Sequence, residues 1–556
     1  MSDRDRSVWG WGYADRFPDE NERRELARRF ETELGFPERP LLEPTSLADA
    51  SVPDTTLAPH ATLAGICTTD REARARHTYG KAYRDLVRGF HGEYDPAPDL
   101  VARPEDEADV EALLAWATEQ RVAVVPFGGG TSVVGGVEPD LSGGGTRETD
   151  EYDGVLSLDL RRLAGVREVD ETSRRARIGA GSLGPEINEE LAAHDLQLRH
   201  YPQSYEFSTL GGWIATRAGG HFATRYTHID DFVESVRAVT PVGCLETLDV
   251  PASGAGPDPN RFLLGSEGAF GVITEAWMRV QPRPSYRSRA TVRFAAFPDA
   301  VAATREIAQA RLAPANCRLL DSTEAMLNEL ATDGSHLLVL GFEGLDHPVD
   351  NDLRRALDIC DRHGGRCPEG ATHDNQTHEE SAASGADSRS GSAGDRDSTA
   401  GEWRSSFFEA PYLFNVLVSV GVLVDTFETA VTWDRFPDLH AAIQREVTAT
   451  MTDVCGTGVL SCRFTHVYPD GPAPYYTLLA PAEPGRELEQ WRAIKRTASN
   501  VLADHDATIT HHHAVGRVHR DDYERELSDT YLEALRSAKR TLDPAGIMNP
   551  GALFSS

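Results

Sequence analysis

The chain of 556 residues is poor in lysine and cysteine and has no long apolar run. The seven cysteines are odd in number and include no Cys-x-x-Cys pair, which argues against a disulfide scaffold or a zinc site. The longest apolar candidate, Leu413 to Val424, contains Asn415, Ser419 and Gly421 and falls short of the ~18 residues of a membrane span. The N-terminus, Met-Ser-Asp-Arg-Asp-Arg, lacks the apolar core of a signal peptide. We therefore expect a cytoplasmic protein without an integral membrane segment.

Basic residues are also in deficit. Asp and Glu total 88 against 56 Lys and Arg, so the net charge is −32, and the only lysines are Lys81, Lys495 and Lys539. Because the acidic residues are spread along the chain, no basic face is available for a nucleic-acid backbone, and nucleic acid is excluded as a partner. A dispersed acidic surface suits a medium in which salt screens repulsion. We interpret it as a halophilic adaptation to a salt-rich cytoplasm.

Glycine, in contrast, is concentrated in loops. Gly128-Gly129-Gly130 follows the β-branched run Val122 to Val125, a predicted strand, and precedes Thr131 and Ser132. Without a Cβ, the backbone N–H groups of such a turn can surround an anion. A flexible surface turn is the alternative for these glycines alone. A Walker loop is excluded because no lysine lies in the turn, and a Rossmann loop because Val133 to Val137 is not helical.

Two further glycine-rich segments accompany this loop, Gln203 to Gly220 and Gly265 to Glu275. Each lies beside an apolar run, and the three together suggest a single extended cofactor. The segments resemble the flavin-binding domain of the vanillyl-alcohol-oxidase type, specifically that of the alkylglycerone-phosphate synthase family. Other segments that resemble motifs of this family are Trp9 to Gly12, Arg311 to Asp321, His511 to Gly516, Leu542 to Pro544 and Asn549 to Gly551.

The resemblance implies an α+β fold: a two-subdomain FAD-binding domain of the vanillyl-alcohol-oxidase type, and an α+β cap domain with an antiparallel sheet. The predicted divisions are an N-terminal helical region over 1–95, an FAD-binding domain over 96–285, a cap domain over 286–510 and a C-terminal segment over 511–556 that completes the active site. Periodicity predicts a helix over Glu105 to Gln120 and another over Pro298 to Arg311. Leu337 to Gly341 and Phe414 to Val420 are predicted to be strands.

Residues 372–398 form a low-complexity insertion in the predicted cap domain. They are rich in Ser, Gly, Asp, Glu and His and nearly lack large apolar side chains. Such a segment cannot bury enough surface to offset the entropy lost on ordering. We expect a mobile insertion, with a functional lid as the alternative.

The resemblance implies FAD as cofactor, with its diphosphate on 126–132 and the remainder against 203–209, 216–219 and 267–273. The predicted cofactor-binding residues are Pro126, Phe127, Gly128, Gly129, Gly130, Thr131, Ser132, Gln203, Ser204, Ser208, Thr209, Gly212, Thr216, Arg217, Ala218, Gly219, Glu267, Gly268, Gly271, Val272 and Ile273. Ser208, Thr209 and Thr216 can donate to phosphate or ribityl oxygens, although Ser208 and Thr209 could equally cap a following helix.

Glu267 could hold a cofactor hydroxyl, the alternative being a solvated carboxylate. Residues 126–137 contain no histidine for a covalent flavin link, and the nearest alternative is His221. We therefore expect the FAD to be non-covalent.

The predicted substrate-side residues are Arg318, Tyr475, His512 and His513. A guanidinium in the apolar segment around Arg318 would bind an anionic substrate, unless it pairs with Asp321. The resemblance places the proton-transferring tyrosine of the family at Tyr475. A phenol is an acid at neutral pH, although Tyr475 could also be a packed aromatic residue.

The triple histidine His511-His512-His513 is predicted to handle protons near neutral pH. The alternatives are three surface histidines or a metal tract. Adjacent residues seldom converge on one ion and no carboxylate cluster flanks them in sequence, so we predict no metal.

One departure from the family pattern concerns Phe414. It occupies the position at which the family carries an arginine for the substrate phosphate, and phenylalanine cannot bind phosphate. Arg463 could supply a second cation. The sequence therefore favours an FAD-dependent oxidoreductase that oxidises a hydroxy acid or related alcohol, a small acidic substrate. The alternatives are the alkyl transfer of the family itself and a non-catalytic flavin-binding relative; homodimerisation is left open.

Overall fold

The computed structural model describes residues 5–141, 152–222, 224–375 and 411–555. Helices and three main sheets alternate along the chain, so the predicted α+β class is confirmed. The helices are α1 (Glu20–Leu34), α2 (Arg71–Arg76), α3 (Tyr83–Phe90), α4 (Glu107–Gln120), α5 (Gly184–Leu191), α6 (Leu210–Thr216), α7 (Asn260–Leu263), α8 (Phe297–Gln309), α9 (Ser322–Leu327), α10 (Asp350–Arg362), α11 (Phe436–Cys455), α12 (Glu487–Asp504), α13 (Arg520–Glu526) and α14 (Asp529–Leu542).

The first sheet carries the first glycine loop. Its strands, in spatial order β1-β2-β4-β3, are β1 (Cys67–Thr68), β2 (Leu100–Ala102), β3 (Val122–Phe127) and β4 (Gly154–Asp159). Strands β2, β4 and β3 are parallel. Asp106 caps α4 by accepting the N–H of Asp109, and Val110, Leu113, Leu114 and Ala117 of that helix are buried. The predicted helix and the predicted strand that follows it are confirmed.

The second sheet is antiparallel, in the order β5-β6-β10-β8-β9. Its strands are β5 (Val166–Asp170), β6 (Arg175–Gly179), β8 (Val233–Thr240), β9 (Gly243–Glu246) and β10 (Val272–Arg279), and a separate short pair is formed by β7 (Leu196–Gln197) and β11 (Gln281–Pro282). The helix α6 lies within the second glycine-rich segment and packs against this sheet.

The third sheet is antiparallel, in the order β15-β12-β14-β13-β17-β18-β16. Its strands are β12 (Tyr286–Phe294), β13 (Asn316–Leu320), β14 (His336–Gly344), β15 (Thr372–Asn375), β16 (Val422–Glu428), β17 (Val459–Val467) and β18 (Pro472–Pro481). The helices α8, α10, α11 and α12 cover it and enclose the largest apolar core. The other face of β13, β17, β18 and β16 therefore remains for polar side chains.

Two sequence predictions differ from the structure. Residues 411–419 are helical, whereas Phe414 to Val420 was predicted as a strand. A short, nearly continuous apolar run is typical of either element when buried, so periodicity alone could not decide. Thr372–Asn375 pairs with β12, so the predicted insertion begins with a strand. The rest of the predicted insertion, residues 376–398, lies outside the described residues.

Residues distant in sequence meet at both ends of the chain. Val124 of β3 forms a parallel bridge to Met548, and the Asn549 side chain donates to the carbonyl of Gly136 at 3.0 Å. Near the other end, Trp11 N donates to the Asn415 side chain at 2.7 Å. Among the described residues, no helix has the length and apolar character of a membrane span.

The lysines serve internal contacts rather than the surface. The ammonium of Lys495 donates to the Thr426 carbonyl at 2.9 Å, and that of Lys539 donates to the Ala269 carbonyl at 2.8 Å. Positive surface charge therefore comes chiefly from arginine, and acidic residues exceed it.

We expect the melting temperature to fall as potassium chloride is lowered towards tens of millimolar, because like charges then repel over about 10 Å or more. The check is a thermal melt across a potassium chloride series, with a neutral osmolyte series as control. A flat salt profile would contradict the proposed adaptation.

Candidate functional site

The first two glycine-rich segments touch. A Cβ added to Gly129 would overlap the carbonyl oxygen of Phe207, and one added to Gly128 would overlap the Thr209 hydroxyl. Gly130 adopts a φ of +69°, in the left-handed region. Glycine is therefore required here by close backbone approach. The result is a concave, side-chain-free cradle of the kind that binds a pyrophosphate.

Two adjoining cavities extend from this cradle. The predicted cofactor residues that line the main cavity are Gly128, Gly129, Gly130, Thr131, Ser132, Gln203, Ser204, Ser208, Thr209, Gly212, Thr216, Ala218 and Gly219. Those that line the adjoining cavity are Pro126, Phe127, Glu267, Gly268, Gly271 and Ile273, together with Gly128, Ser132, Thr209, Gly212 and Thr216, which line both. The shared residues make the two cavities one continuous groove.

Two predicted cofactor residues lie elsewhere in the described structure. Arg217 pairs with Asp230 at 2.8 Å, and half of its side chain is exposed. Val272 is fully buried in an apolar core. Both stand next to lining residues in sequence, which is why the motif included them.

The hydroxyls of the second segment have partners within the protein. Ser208 accepts the Trp213 indole N–H at 2.6 Å, and Thr209 caps α6 by accepting the N–H of Gly212 at 3.3 Å. Thr216 donates to the Gly212 carbonyl at 2.8 Å. Helix capping is therefore observed for Thr209. These contacts fix the groove wall and leave lone pairs and backbone groups for a ligand.

Glu267 is buried rather than solvated. One carboxylate oxygen accepts the N–H groups of Val515 and Gly516, at 3.1 and 2.7 Å. Its other oxygen, Oε1, is buried without a hydrogen-bond partner among the described residues. Burial raises the pKa of Glu267 to about 7. An orphaned carboxyl oxygen at the wall of the groove fits a hydroxyl-bearing ligand, as FAD would supply.

His221 lies away from this groove. It lines a separate cavity with Arg199 and Glu343, and its carbonyl accepts the Arg318 guanidinium at 2.8 Å.

We expect FAD to be released into the supernatant when the protein is precipitated with acid, because residues 126–137 contain no histidine and the His221 ring lines another cavity. Absorbance at the flavin maximum in pellet and supernatant measures this, with free FAD as the recovery control. Yellow colour kept in the pellet would refute non-covalent binding.

All four predicted substrate-side residues line the main cavity: Arg318, Tyr475, His512 and His513. Arg318 lies in β13 and is 1% exposed. Asp321, its alternative partner in sequence, instead accepts the N–H groups of Glu324 and Cys462 at 2.7 and 2.8 Å. Burial, with the nearby Arg463, lowers the pKa of Arg318 to about 9, so it remains cationic at neutral pH. A buried guanidinium at a cavity wall can bind an anion there.

Tyr475 is placed by strand register. It is paired with Glu428 of β16 on one side and with Arg463 of β17 on the other, so the three side chains share one face. The Arg463 guanidinium lies 3.9 Å from the centre of the Tyr475 ring. Burial raises the pKa of Tyr475, which keeps the phenol protonated and able to donate.

Arg463 also lines the main cavity, as the sequence suggested, but a carboxylate neutralises it. Its guanidinium pairs with Glu324 at 2.5 Å, and Glu324 is buried. Phe414 lines the same cavity. Phe414, which stands where the family has a phosphate-binding arginine, therefore faces the site. The Arg463–Glu324 pair has no net charge and does not replace that arginine.

The triple histidine is wrapped around Glu428, which sequence reasoning missed. Its carboxylate accepts the backbone N–H groups of His511, His512 and His513, at 2.5, 3.1 and 2.9 Å, and the Thr510 hydroxyl at 2.6 Å. An acidic residue at the end of a strand gave no signal of this long-range role.

The same contacts keep Glu428 ionised. Burial opposes its charge, but the neighbouring His513 and His511 and the hydrogen bonds lower the pKa of Glu428 to about 2. Because this pKa lies below the ordinary 4.5, the stabilisation is present above pH 4.5 and is lost as the pH falls towards 2.

Further histidines surround this loop. The His466 and His511 ring centres lie 5.0 Å apart, and those of His228 and His511 lie 4.4 Å apart. Burial lowers the pKa of His466, His511 and His512 well below the usual value, so these rings are neutral at pH 7. The three surface histidines considered as an alternative are instead part of a largely buried, neutral cluster beside the main cavity.

Comparison with known proteins agrees with this geometry. Residues 98–249 match the family described as "FAD binding domain", and residues 283–553 match "FAD linked oxidases, C-terminal domain". The alkyldihydroxyacetonephosphate synthase of Trypanosoma brucei brucei is 30% identical over 513 residues, which cover 88% of this chain and 78% of that protein. The glycolate oxidase subunit GlcD of Bacillus subtilis (strain 168) is 24% identical over 83% of this chain and 90% of that protein.

A solved structure of an alkyldihydroxyacetonephosphate synthase superimposes with a TM-score of 0.76 at 25% identity, covering 98% of each chain. The predicted FAD-binding fold and the FAD cofactor are therefore confirmed, and the chain is a flavoenzyme.

Proposed function

Because the chain belongs to the FAD-linked oxidase family that includes the alkyldihydroxyacetonephosphate synthases, we propose that it oxidises a small hydroxy acid or related alcohol with FAD. One observation carries the proposal: a single cavity joins the flavin cradle to a buried cation, Arg318, and to the proton-handling groups Tyr475, His512 and His513. A flavoenzyme that removes hydride from a hydroxy acid needs these three elements together.

In this proposal Arg318 binds the substrate carboxylate, because a buried guanidinium forms strong, directional bonds to it. A neutral histidine, His512 or His513, takes the hydroxyl proton, and the Tyr475 phenol donates a hydrogen bond to the reacting oxygen. FAD supplies the hydride acceptor. Water is held out by the apolar wall that Trp11, Pro411 and Phe414 contribute to the cavity.

A second candidate is the alkyl transfer named for the synthase relatives, in which a fatty alcohol replaces an acyl group without net redox change. The relationship at 30% identity over most of the chain favours it. Phe414 in the cavity wall disfavours it, because a phosphate group would lose a cationic partner there.

Anaerobic mixing separates the two candidates. If the protein oxidises hydroxy acids, short 2-hydroxy acids will bleach the flavin absorbance, and a non-hydroxylated acid of the same length will not. If it transfers alkyl groups, an acylglycerone phosphate with a fatty alcohol will give an ether product without lasting bleaching. A protein that does neither would contradict the proposal.

Phe414→Arg is expected to strengthen the binding of phosphate-bearing substrates, because it restores a cation to a wall that already contains Arg318. Two substrates of equal length, one with a carboxylate and one with a phosphate, should be titrated against both proteins. Phe414→Leu keeps the wall apolar and is the matched control. Equal gains for both variants would show that steric relief, and not charge, is responsible.

A further inference from the structure

Hydrogen bonds lead away from the main cavity through the side chains behind His512. The Nδ1 atoms of His512 and His511 lie 3.1 Å apart, and His511 Nε2 lies 2.8 Å from the Tyr468 hydroxyl. That hydroxyl lies 3.3 Å from the Thr227 hydroxyl, which lies 3.4 Å from His228 Nδ1. Four hydrogen bonds thus connect the cavity wall to His228, which is partly exposed to solvent.

The contacts at the two ends fix the direction of this chain. His228 Nε2 is 2.9 Å from the His511 carbonyl, which can only accept, so Nε2 carries the proton and Nδ1 is the acceptor. At the other end, His512 Nδ1 is 3.1 Å from His511 Nδ1, and the donor order that starts from His228 leaves His511 Nδ1 as the acceptor of this contact. The proton of His512 is therefore on Nδ1, and its Nε2 carries a lone pair.

Between these ends every donor has an acceptor. His512 Nδ1–H donates to His511 Nδ1, and His511 Nε2–H donates to the Tyr468 oxygen. The Tyr468 hydroxyl donates to Thr227, whose hydroxyl donates to His228 Nδ1. No position requires two donors to face each other, which is the condition for a proton to pass along such a chain.

We propose that His511, Tyr468, Thr227 and His228 form a proton relay that carries the substrate proton from His512 to solvent. One proton binds His512 Nε2, each bridging proton shifts one link, and one proton reaches His228 Nδ1. Four protons shift between neighbouring groups, no charge remains on the intervening residues, and His228 releases its proton to water. This inference rests on the proposed oxidation, which frees one hydroxyl proton per turnover.

The relay gives a function to three residues outside the predicted substrate-side set. His512 touches the substrate, whereas Tyr468, Thr227 and His228 act through it and are positioning residues. Tyr468 lies in the turn between β17 and β18, and His228 lies next to the short helical turn that starts at Ile229, so the relay joins the two halves of the protein. A buried base without an outlet would hold its proton and stall the next turnover.

The test is stopped-flow flavin reduction in Tyr468→Phe, Thr227→Val and His228→Ala, each with its FAD bound. We expect rates to fall about tenfold, less than the ~100-fold loss for a residue that transfers the proton directly. The wild-type solvent isotope effect should depend non-linearly on the deuterium fraction and become linear in Tyr468→Phe. Tyr79→Phe, whose hydroxyl donates to the Glu93 carbonyl at 2.8 Å, is the matched control.

Added imidazole should restore the rate of flavin reduction in His228→Ala, because the missing side chain is partly exposed and its role is to accept a proton. A structural role for His228 predicts no rescue. Wild-type rates in Tyr468→Phe and His228→Ala would overturn the relay.

If no hydroxy acid reduces the wild-type flavin, the proposed oxidation fails, and the relay is then decided separately. Nitrogen-15 histidine spectra of the holoenzyme, assigned with His→Gln variants, should show His512 protonated on Nδ1 and His511 on Nε2. The opposite tautomers would break the donor order and overturn the relay whatever the substrate.

Discussion

Tyr475→Phe should keep its FAD and lose substrate-dependent flavin chemistry by about 100-fold or more, the scale on which loss of a hydrogen-bond donor to the reacting oxygen slows catalysis. The phenol lies on the cavity face between Glu428 and Arg463, and its raised pKa keeps it a donor at neutral pH. Phenylalanine preserves the ring packed against Arg463 and removes only the hydroxyl. The measurement is the rate of flavin bleaching under anaerobic single-turnover conditions.

The neighbouring Tyr476 provides the control for this variant. Its hydroxyl contacts His440 at 3.1 Å, in the apolar core and away from the cavity, so Tyr476→Phe should retain near wild-type chemistry. His513→Ala is expected to behave like Tyr475→Phe. A wild-type rate in Tyr475→Phe would show that Tyr475 serves only in packing.

Gly129→Ala should yield a protein without flavin. Its new Cβ would overlap the backbone carbonyl of Phe207, so the two loops of the cradle would have to separate. Backbone cannot rotate away as a flexible side chain can, and overpacking of this kind typically costs about 1–3 kcal/mol or more. The ratio of flavin to protein absorbance after purification reports the loss.

Gly254→Ala is the matched control, because no atom lies within 4 Å of its added Cβ. It should bind FAD like the wild type. Circular dichroism distinguishes a folded apoprotein from a misfolded one. Full flavin content in Gly129→Ala would mean that the cradle is more pliable than its backbone contacts indicate.

The sequence predicted those parts of the site that are encoded by motifs of a few consecutive residues. The three glycine loops specify close backbone approach within a few residues, and the structure brings Gly128 to Thr209 as a consequence. Likewise Arg318, Tyr475, His512 and His513 belong to segments that resemble motifs of the family, and all four line one cavity. The α+β class was expected from the family that these segments resemble.

Long-range contacts account for what the sequence did not reveal. Glu428 and His228 each resemble ordinary polar residues until the fold brings them to His511. Arg217 shows the opposite case. It belongs to a predicted binding motif, but its side chain pairs with Asp230 outside the groove. The helix at 411–419 was missed because a buried apolar run of that length satisfies both a helix and a strand.

The isolated β-bridge between Met548 and β3 has a consequence for biosynthesis. Asn549 holds the first glycine segment through a hydrogen bond to Gly136 that spans 413 positions, and Met548 extends the first sheet beside Val124. While a ribosome adds residues in order, the edge of β3 must wait for this partner until the segment that contains Met548 has emerged. Such distant closure slows folding, and the nascent chain exposes an open sheet edge in the meantime. Loading of FAD is therefore expected to follow synthesis of this segment.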